Sequence, residues 1–202
     1  MTHKRVIFNG NNYSDEWRAE AAQRKLPAID NIVDAINVMA EPNVTELFKN
    51  HCVLDNAELN ARRLIALRSY VKHTQIEAVT MLKLAKQKLF PACVKYLKLM
   101  TEALNSLRLT GLKVDYTAHT KTITDLSAHI NDLKTRTEAL DAAVAAIDGG
   151  ADIQAQAIYV CDNVRPNMTA LRDAADALVI IVDKETWPMP SYGEMMFNIT
   201  NC

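Results

Sequence analysis

A run without glycine from Asn56 to Leu109 constrains this chain more than anything else in it. Asp55 stands where an N-cap belongs, and Glu58, three residues on, completes a capping box. Apolar residues then recur at helical spacing: Leu59, Leu64, Leu67, Val71, Ile76, Val79, Leu82, Leu89, Val94, Leu97, Met100, Leu104 and Leu107. The next glycine is Gly111. One helix over this stretch would be roughly 80 Å long. A helix of that length cannot be buried inside a small globule, so other segments must pack along it.

The next segments have the pattern for that packing. Tyr116, His119, Ile123, Leu126, Ile130, Leu133, Thr137, Leu140, Val144 and Ile147 alternate spacings of three and four without a slip, which is a heptad seam. His119 and Thr137 are its polar members. A polar residue in such a seam most often fixes register, and that reading outweighs a ligand role for His119. Gly149-Gly150 closes this helix. A last long helix is expected from about Asp152 to Lys184, with Ile153, Val160, Val164, Leu171, Leu178 and Val182 on its face. Its final turns, Leu178 to Val182, are apolar all round and are expected to be buried on more than one side.

Short turns at Gly111 and Gly149-Gly150 make the three helices antiparallel neighbours. Counting residues down from Gly111 brings the second helix to the level of Gln75 on the first. The stretch Asn56–Thr74 then needs another cover, and three short helices between Asp15 and His51 supply it. Ser14 caps the first of these, which runs to about Lys25, with Pro27 as its stop. Pro27 also suits the first turn of the second, Ala28 to Met39, which Pro42 ends. Asn43 caps the third, with Glu46 as box partner. Pro91 and Pro166 fall at the same height within about a turn. Each frees a carbonyl, that of Gln87 or Asp162, so matched kinks are expected there; the alternative is two unrelated, tolerated prolines.

The expected fold class is therefore all-α: an antiparallel bundle of three long helices, with three short N-terminal helices packed on the lower half of the first. Divided by composition, residues 1–55 are an extended segment and short helices, 56–185 the bundle, and 186–202 a proline- and aromatic-rich tail. Two ends fit poorly. Arg5 to Phe8 read as a short strand before the turn Asn9–Asn12, and a lone strand cannot satisfy its own backbone. Either it packs irregularly on the helices or its partner lies in another segment. In the tail, Pro188 and Pro190 exclude a helix across Glu185–Gly193, while Trp187, Tyr192, Met195, Met196 and Phe197 are too apolar for a loose end. The tail either folds back on the bundle or docks on another domain or subunit.

Chemistry is harder to find. The formal net charge is -1 and charged residues, 23% of the chain, are mixed in sign along each helix. That argues against nucleic acid and against anionic membranes as partners. No apolar run is long enough to span a membrane, and nothing apolar follows Met1–Arg5 as in a secretory signal, so the expected location is the cytoplasm. Without such a signal, the Asn-x-Ser/Thr triplets at Asn12, Asn43, Asn167 and Asn198 carry no meaning. Cys52, Cys93, Cys161 and Cys202 are isolated and read as reduced, mostly buried thiols. There is no glycine-rich phosphate loop, no Glu-x-x-His pair, and no nucleophile elbow; His3, His51, His73, His119 and His129 are scattered. Glu77 lies on the apolar long helix, where a structural ion pair with Arg172 or Lys83 outweighs catalysis. No catalytic, cofactor-binding or metal-binding residue is assigned.

A resemblance supplies what these patterns do not. Arg5-Val6-Ile7-Phe8-Asn9-Gly10 and Tyr13-Ser14-Asp15-Glu16-Trp17 resemble a segment of type III glutamine synthetases. So do Glu77-Ala78-x-Thr80-Met81, Leu89-x-Pro91-Ala92, Arg165-Pro166-x-Met168 and Trp187-Pro188-x-Pro190-x-Tyr192-Gly193. They occur in family order from about Arg5 to Phe197, and the match is to the family's C-terminal region. The family makes glutamine from glutamate, ammonia and ATP with a divalent metal such as magnesium, in two stacked hexameric rings. Its ATP-, metal- and glutamate-binding residues lie upstream of this region, so no functional residue carries over and no cofactor is expected in this chain. The resemblance implies an auxiliary helical region that supports assembly or domain packing and is inactive alone. Its partners would be the missing catalytic domain, which would also pair the Arg5–Phe8 strand, and neighbouring subunits of a large homo-oligomer. Met1 would begin either an artificial piece or a truncated reading frame. Two other readings stay open: a free-standing module whose heptad face, Ile123–Ile147, binds a partner helix, and an independent bundle enzyme.

Overall fold

The computed structural model describes residues 10–11, 13–27, 29–147, 149–150, 152–190 and 192–197. Among them every regular element is helical. The Arg5–Phe8 strand lies outside the described residues. The chain falls into two compact units, Met1–Leu67 and Arg68–Cys202.

In the first unit, local chemistry sets each helix end. Ser14 caps α1 (Asp15–Gln23) by accepting the Trp17 N–H. The stop is a residue in left-handed conformation. Lys25 has φ 56°. It donates to the Ala22 carbonyl while Leu26 N–H reaches the Ala21 carbonyl at 2.9 Å, closing a Schellman motif before Pro27 is reached. The second helix is shorter than expected: α2 runs Ile32–Asn37, followed by a 3-10 turn to Ala40. Asn31, extended at φ -130°, takes the N-cap and accepts the Asp34 N–H, so helix cannot extend back to Pro27. Pro42 does not simply end that helix. It opens α3 (Pro42–Asn50) at the first position, where its missing N–H costs nothing, and Asn43 is not the cap. A second Schellman motif, with Cys52 at φ 53°, closes α3.

The capping box forms as the sequence requires. Asp55 accepts the Glu58 N–H at 2.7 Å and Glu58 accepts the Asp55 N–H at 2.9 Å. From it α4 runs Asn56–Leu84. Within the first unit Ala21, Val33, Ile36, Leu59 and Leu67 are buried, and Arg63 bonds the Asn37 side chain at 3.2 Å. The end of α2 thus meets the start of α4.

The second unit holds the bundle. α5 (Phe90–Leu109) ends at Gly111, whose φ of +69° suits glycine, and α6 (Thr117–Ala145) returns. α6 packs on α5 and on α8 (Arg165–Val179). Leu126, Ile130, Leu133, Thr137 and Leu140 are buried and the other seam positions are half-buried. The seam is consumed inside one chain, which leaves no open heptad face for a partner helix. The Thr137 hydroxyl donates to the Leu133 carbonyl of its own helix at 2.7 Å. It therefore does not set register by bonding across the seam.

Both interior prolines follow a π turn. Ala85–Leu89 joins α4 to α5, and Val160–Val164 joins α7 (Ile153–Tyr159) to α8. The residue before each proline donates five residues back, Phe90 to Ala85 and Arg165 to Val160. A π turn adds one residue to the helix and loosens the turn that the proline ring would otherwise clash with. Gln87 and Asp162, the expected sites of freed carbonyls, lie inside the two turns. The turns also match in position, since both pack on α6. Lys86 meets Asp141 at 2.7 Å and the Tyr159 hydroxyl donates to the Ala143 carbonyl at 3.2 Å.

Three expectations about burial change. The link 111–116 is not helical, so α6 ends higher than the residue count gave; with Lys86 opposite Asp141, Ala145 lies near Leu82 rather than Gln75. On α4 the buried line is Val71, Thr74, Ala78 and Leu82, while Ile76 and Val79 face solvent. The run Leu178–Val182 is not buried all round, because α8 stops at Val179 and Ile180 is 85% exposed. Leu178 and Val182 remain inside.

Candidate functional site

The tail turns back because of Asp183. Its carboxylate accepts the Glu185 and Thr186 N–H groups at 2.9 and 3.0 Å, and its carbonyl accepts the Trp187 N–H. These bonds, that of Thr186 foremost, hold the Asp183 carboxyl below its ordinary value. Lys184 then reaches Glu194 at 3.0 Å. Beyond Pro190 the chain makes a short helix, α9 (Tyr192–Phe197), so the helix exclusion drawn from the two prolines holds only up to Pro190.

The returning tail completes an apolar groove of about 480 Å3. Met81, Leu84 and Leu89 line one wall, and Leu171, Ala175 and Val179 of α8 another. Trp187, Met189, Pro190 and Met195 close the third. Among the described residues, the charged lining residues are Arg172 and Asp176, joined by two bonds of 2.9 and 2.8 Å. Segments far apart in sequence thus converge: Met81 and Leu89 belong to two of the family-like stretches, and Trp187 and Pro190 to a third. Folding back, one of the two readings of the tail, describes Trp187 and Met189, which sit in this wall. Met195, Met196 and Phe197 are still 58, 73 and 76% exposed. Sequence pattern did not single out Leu84, Ala85 or Ala175. Their alignment with Leu89 and Leu171 at helical spacing on two neighbouring helices was the available signal, but it depends on a register that the π turns shift by a residue.

A second cluster lies at the second π turn. The Tyr70 hydroxyl is shielded from solvent and lacks a hydrogen bond of ordinary geometry. Cys161 and Arg165 lie beside it. Burial, then the Cys161 thiol, raise the Tyr70 pKa, and the Arg165 guanidinium opposes them. Cys93 is buried, and desolvation pushes its thiol up to about 11, so it is a packed hydrophobe and not a nucleophile. Cys52 is exposed and Cys161 half-buried, which departs from a mostly buried set.

The singled-out acids and histidines stay apart. Glu77 is exposed, so no buried acid demands a partner, and Arg172 pairs with Asp176 instead. His51 and His73 are exposed; His119 and His129 are half-buried. No group of three His, Cys, Asp or Glu side chains that could hold a metal occurs among the described residues. Glu102, Asp132, Glu138 and Asp176 lie singly on helix faces, each paired to a cation four residues away. Among the described residues no helix is long and apolar enough to cross a membrane.

Residues 1–108 match the family model described as "Glutamine synthetase C-terminal domain". The chain is 29% identical over 202 residues to "Type-3 glutamine synthetase" of Dictyostelium discoideum, covering 98% of this chain and 27% of that protein. It is 28% identical over 213 residues to "Glutamine synthetase" of Butyrivibrio fibrisolvens, covering 98% of this chain and 28% of the relative. For "Glutamine synthetase" of Bacteroides fragilis the identity is 25% over 196 residues, covering 95% and 27%. The chain therefore spans little more than a quarter of the length of the curated relatives it matches.

Proposed function

The chain belongs to the glutamine synthetase C-terminal domain family, and from that premise we propose that it is an auxiliary helical domain of a type III glutamine synthetase subunit, supporting assembly or domain packing without catalysing by itself. The observation that carries this reading is coverage: nearly the whole chain aligns, yet it accounts for only 27% of the Dictyostelium relative. The architecture agrees. The α6 seam is buried within the bundle, and the pairs Lys98–Glu102, Lys134–Glu138, Asp132–Arg136 and Arg172–Asp176 are surface pairs within one helix, of the kind that contributes little binding energy.

In this reading ATP, magnesium and glutamate are bound by the remainder of the subunit. The partners of this chain are that remainder and neighbouring subunits of a homo-oligomer, in the cytoplasm, serving nitrogen assimilation. The test is a γ-glutamyl transfer assay on the purified chain with ATP and magnesium. The expected result is background; turnover that survives repurification contradicts the reading.

A further inference from the structure

The groove in the second unit is apolar, yet its own tail leaves it open. Val179, Met189 and Met195 line it and remain 44, 38 and 58% exposed. Met196 and Phe197, next along the tail, and Ile180, next after Val179, add further exposed apolar surface. Apolar side chains exposed around an apolar groove on a folded domain mark an interaction site.

The wall indicates what chemistry would enter. Its two charged residues, Arg172 and Asp176, bond to each other, and Lys184 pairs with Glu194 at the tail. An incoming phosphate or amino-acid carboxylate would compete with Asp176 or Glu194 for those cations, whereas an uncharged apolar stretch would compete with neither. Coverage indicates the source. About 73% of the Dictyostelium relative lies outside the aligned region, taking 100% minus the 27% spanned. A segment of the same polypeptide reaches such a groove at high effective concentration, which lets a modest apolar contact hold.

We infer that the groove between Met81–Leu89, Leu171–Val179 and Trp187–Met195 is the seat of an apolar, uncharged segment from the part of the larger subunit that this chain does not span. The inference rests on the proposed function above. It adds the face by which the domain is held and the character of what it holds. Apolar anchors at helical or alternating spacing would enter between α8 and the tail, with Met195 and Val179 at the edge of the contact.

The test is thiol accessibility at the groove. Met195→Cys and Val179→Cys are each placed in a Cys52→Ser background, which removes an exposed thiol. Each variant is prepared twice: as this chain alone, and as a hybrid in which the chain replaces the aligned region of the Dictyostelium relative. A second hybrid uses the Butyrivibrio relative. Maleimide labelling is expected to be fast in the chain alone and at least tenfold slower in a hybrid with γ-glutamyl transfer activity. Equal rates in an active hybrid overturn the seat and leave the proposed function standing. Labelling of the isolated chain that slows as its concentration rises makes the occupant a second copy, which also overturns it. If neither hybrid transfers γ-glutamyl groups while both parents do, the proposed function fails and the seat with it.

Discussion

Thr137 offers the sharpest test of how the bundle is held. It is 4% exposed, in the middle of the α6 seam. Its hydroxyl donates to the Leu133 carbonyl at 2.7 Å and to nothing across the interface. Within α6 that carbonyl also receives the Thr137 backbone N–H, so Thr137→Val removes a donor without orphaning an acceptor. The lost hydrogen bond costs about 1 kcal/mol. The methyl that replaces the hydroxyl returns about 0.8 kcal/mol. The two nearly cancel, and the variant should lie within ~1 kcal/mol of the parent. Thr137→Ala keeps neither group and should lose ~1–2 kcal/mol. Leu140→Ala, on the same face and 0% exposed, should lose ~2–5 kcal/mol. Urea denaturation followed by far-UV circular dichroism reads all three, provided the slope stays constant. A loss above ~2 kcal/mol for Thr137→Val would mean that the hydroxyl is needed across the seam, and the account of the packing would be wrong.

Other expectations follow from single residues. Cys52→Gly relieves a left-handed cysteine at φ 53° and should raise stability by up to ~1 kcal/mol, read as a shift of the urea midpoint; an unchanged or lower midpoint contradicts the Schellman assignment. Because the Asp183 carboxyl is held below its ordinary value, its contribution to the tail turn is complete above about pH 4 and is lost as pH falls through the lowered value. In a Trp17→Phe background, Trp187 fluorescence should change on that acid limb, and Asp183→Asn should abolish the transition. Cys93, raised to about 11 by burial, should resist alkylation at neutral pH while exposed Cys52 reacts; equal labelling by mass spectrometry would show that the α5 face is open.

Patterns that one stretch of chain decides for itself were legible in the sequence. The Asp55–Glu58 box, the Ser14 cap and the glycine stop at Gly111 depend on neighbours a few residues away, and the structure places them where the spacing did. The α6 seam was legible because its repeat is unbroken. The long first helix was less so, since the π turn at Ala85–Leu89 inserts a residue and rotates everything beyond it. A straight helical count therefore put Val94 inside, where the structure leaves it exposed; Ile76 and Val79, before the turn, lie off the buried line of Val71, Thr74, Ala78 and Leu82. Left-handed Lys25 and Cys52 were invisible because neither residue type announces that conformation. The groove was legible only in fragments: Trp187 and Met195 stood out as apolar residues in a tail, but Leu84, Ala175 and Val179 join them through the packing of α8 on its neighbours.

The central claim is that this domain serves a larger subunit by holding it together. Sedimentation velocity of three proteins addresses it directly: the intact Dictyostelium relative, the same relative without the aligned region, and the hybrid carrying this chain in its place. The account predicts that the hybrid sediments as the intact assembly does, and that the shortened form falls to smaller species. A shortened form that keeps the intact assembly would contradict it.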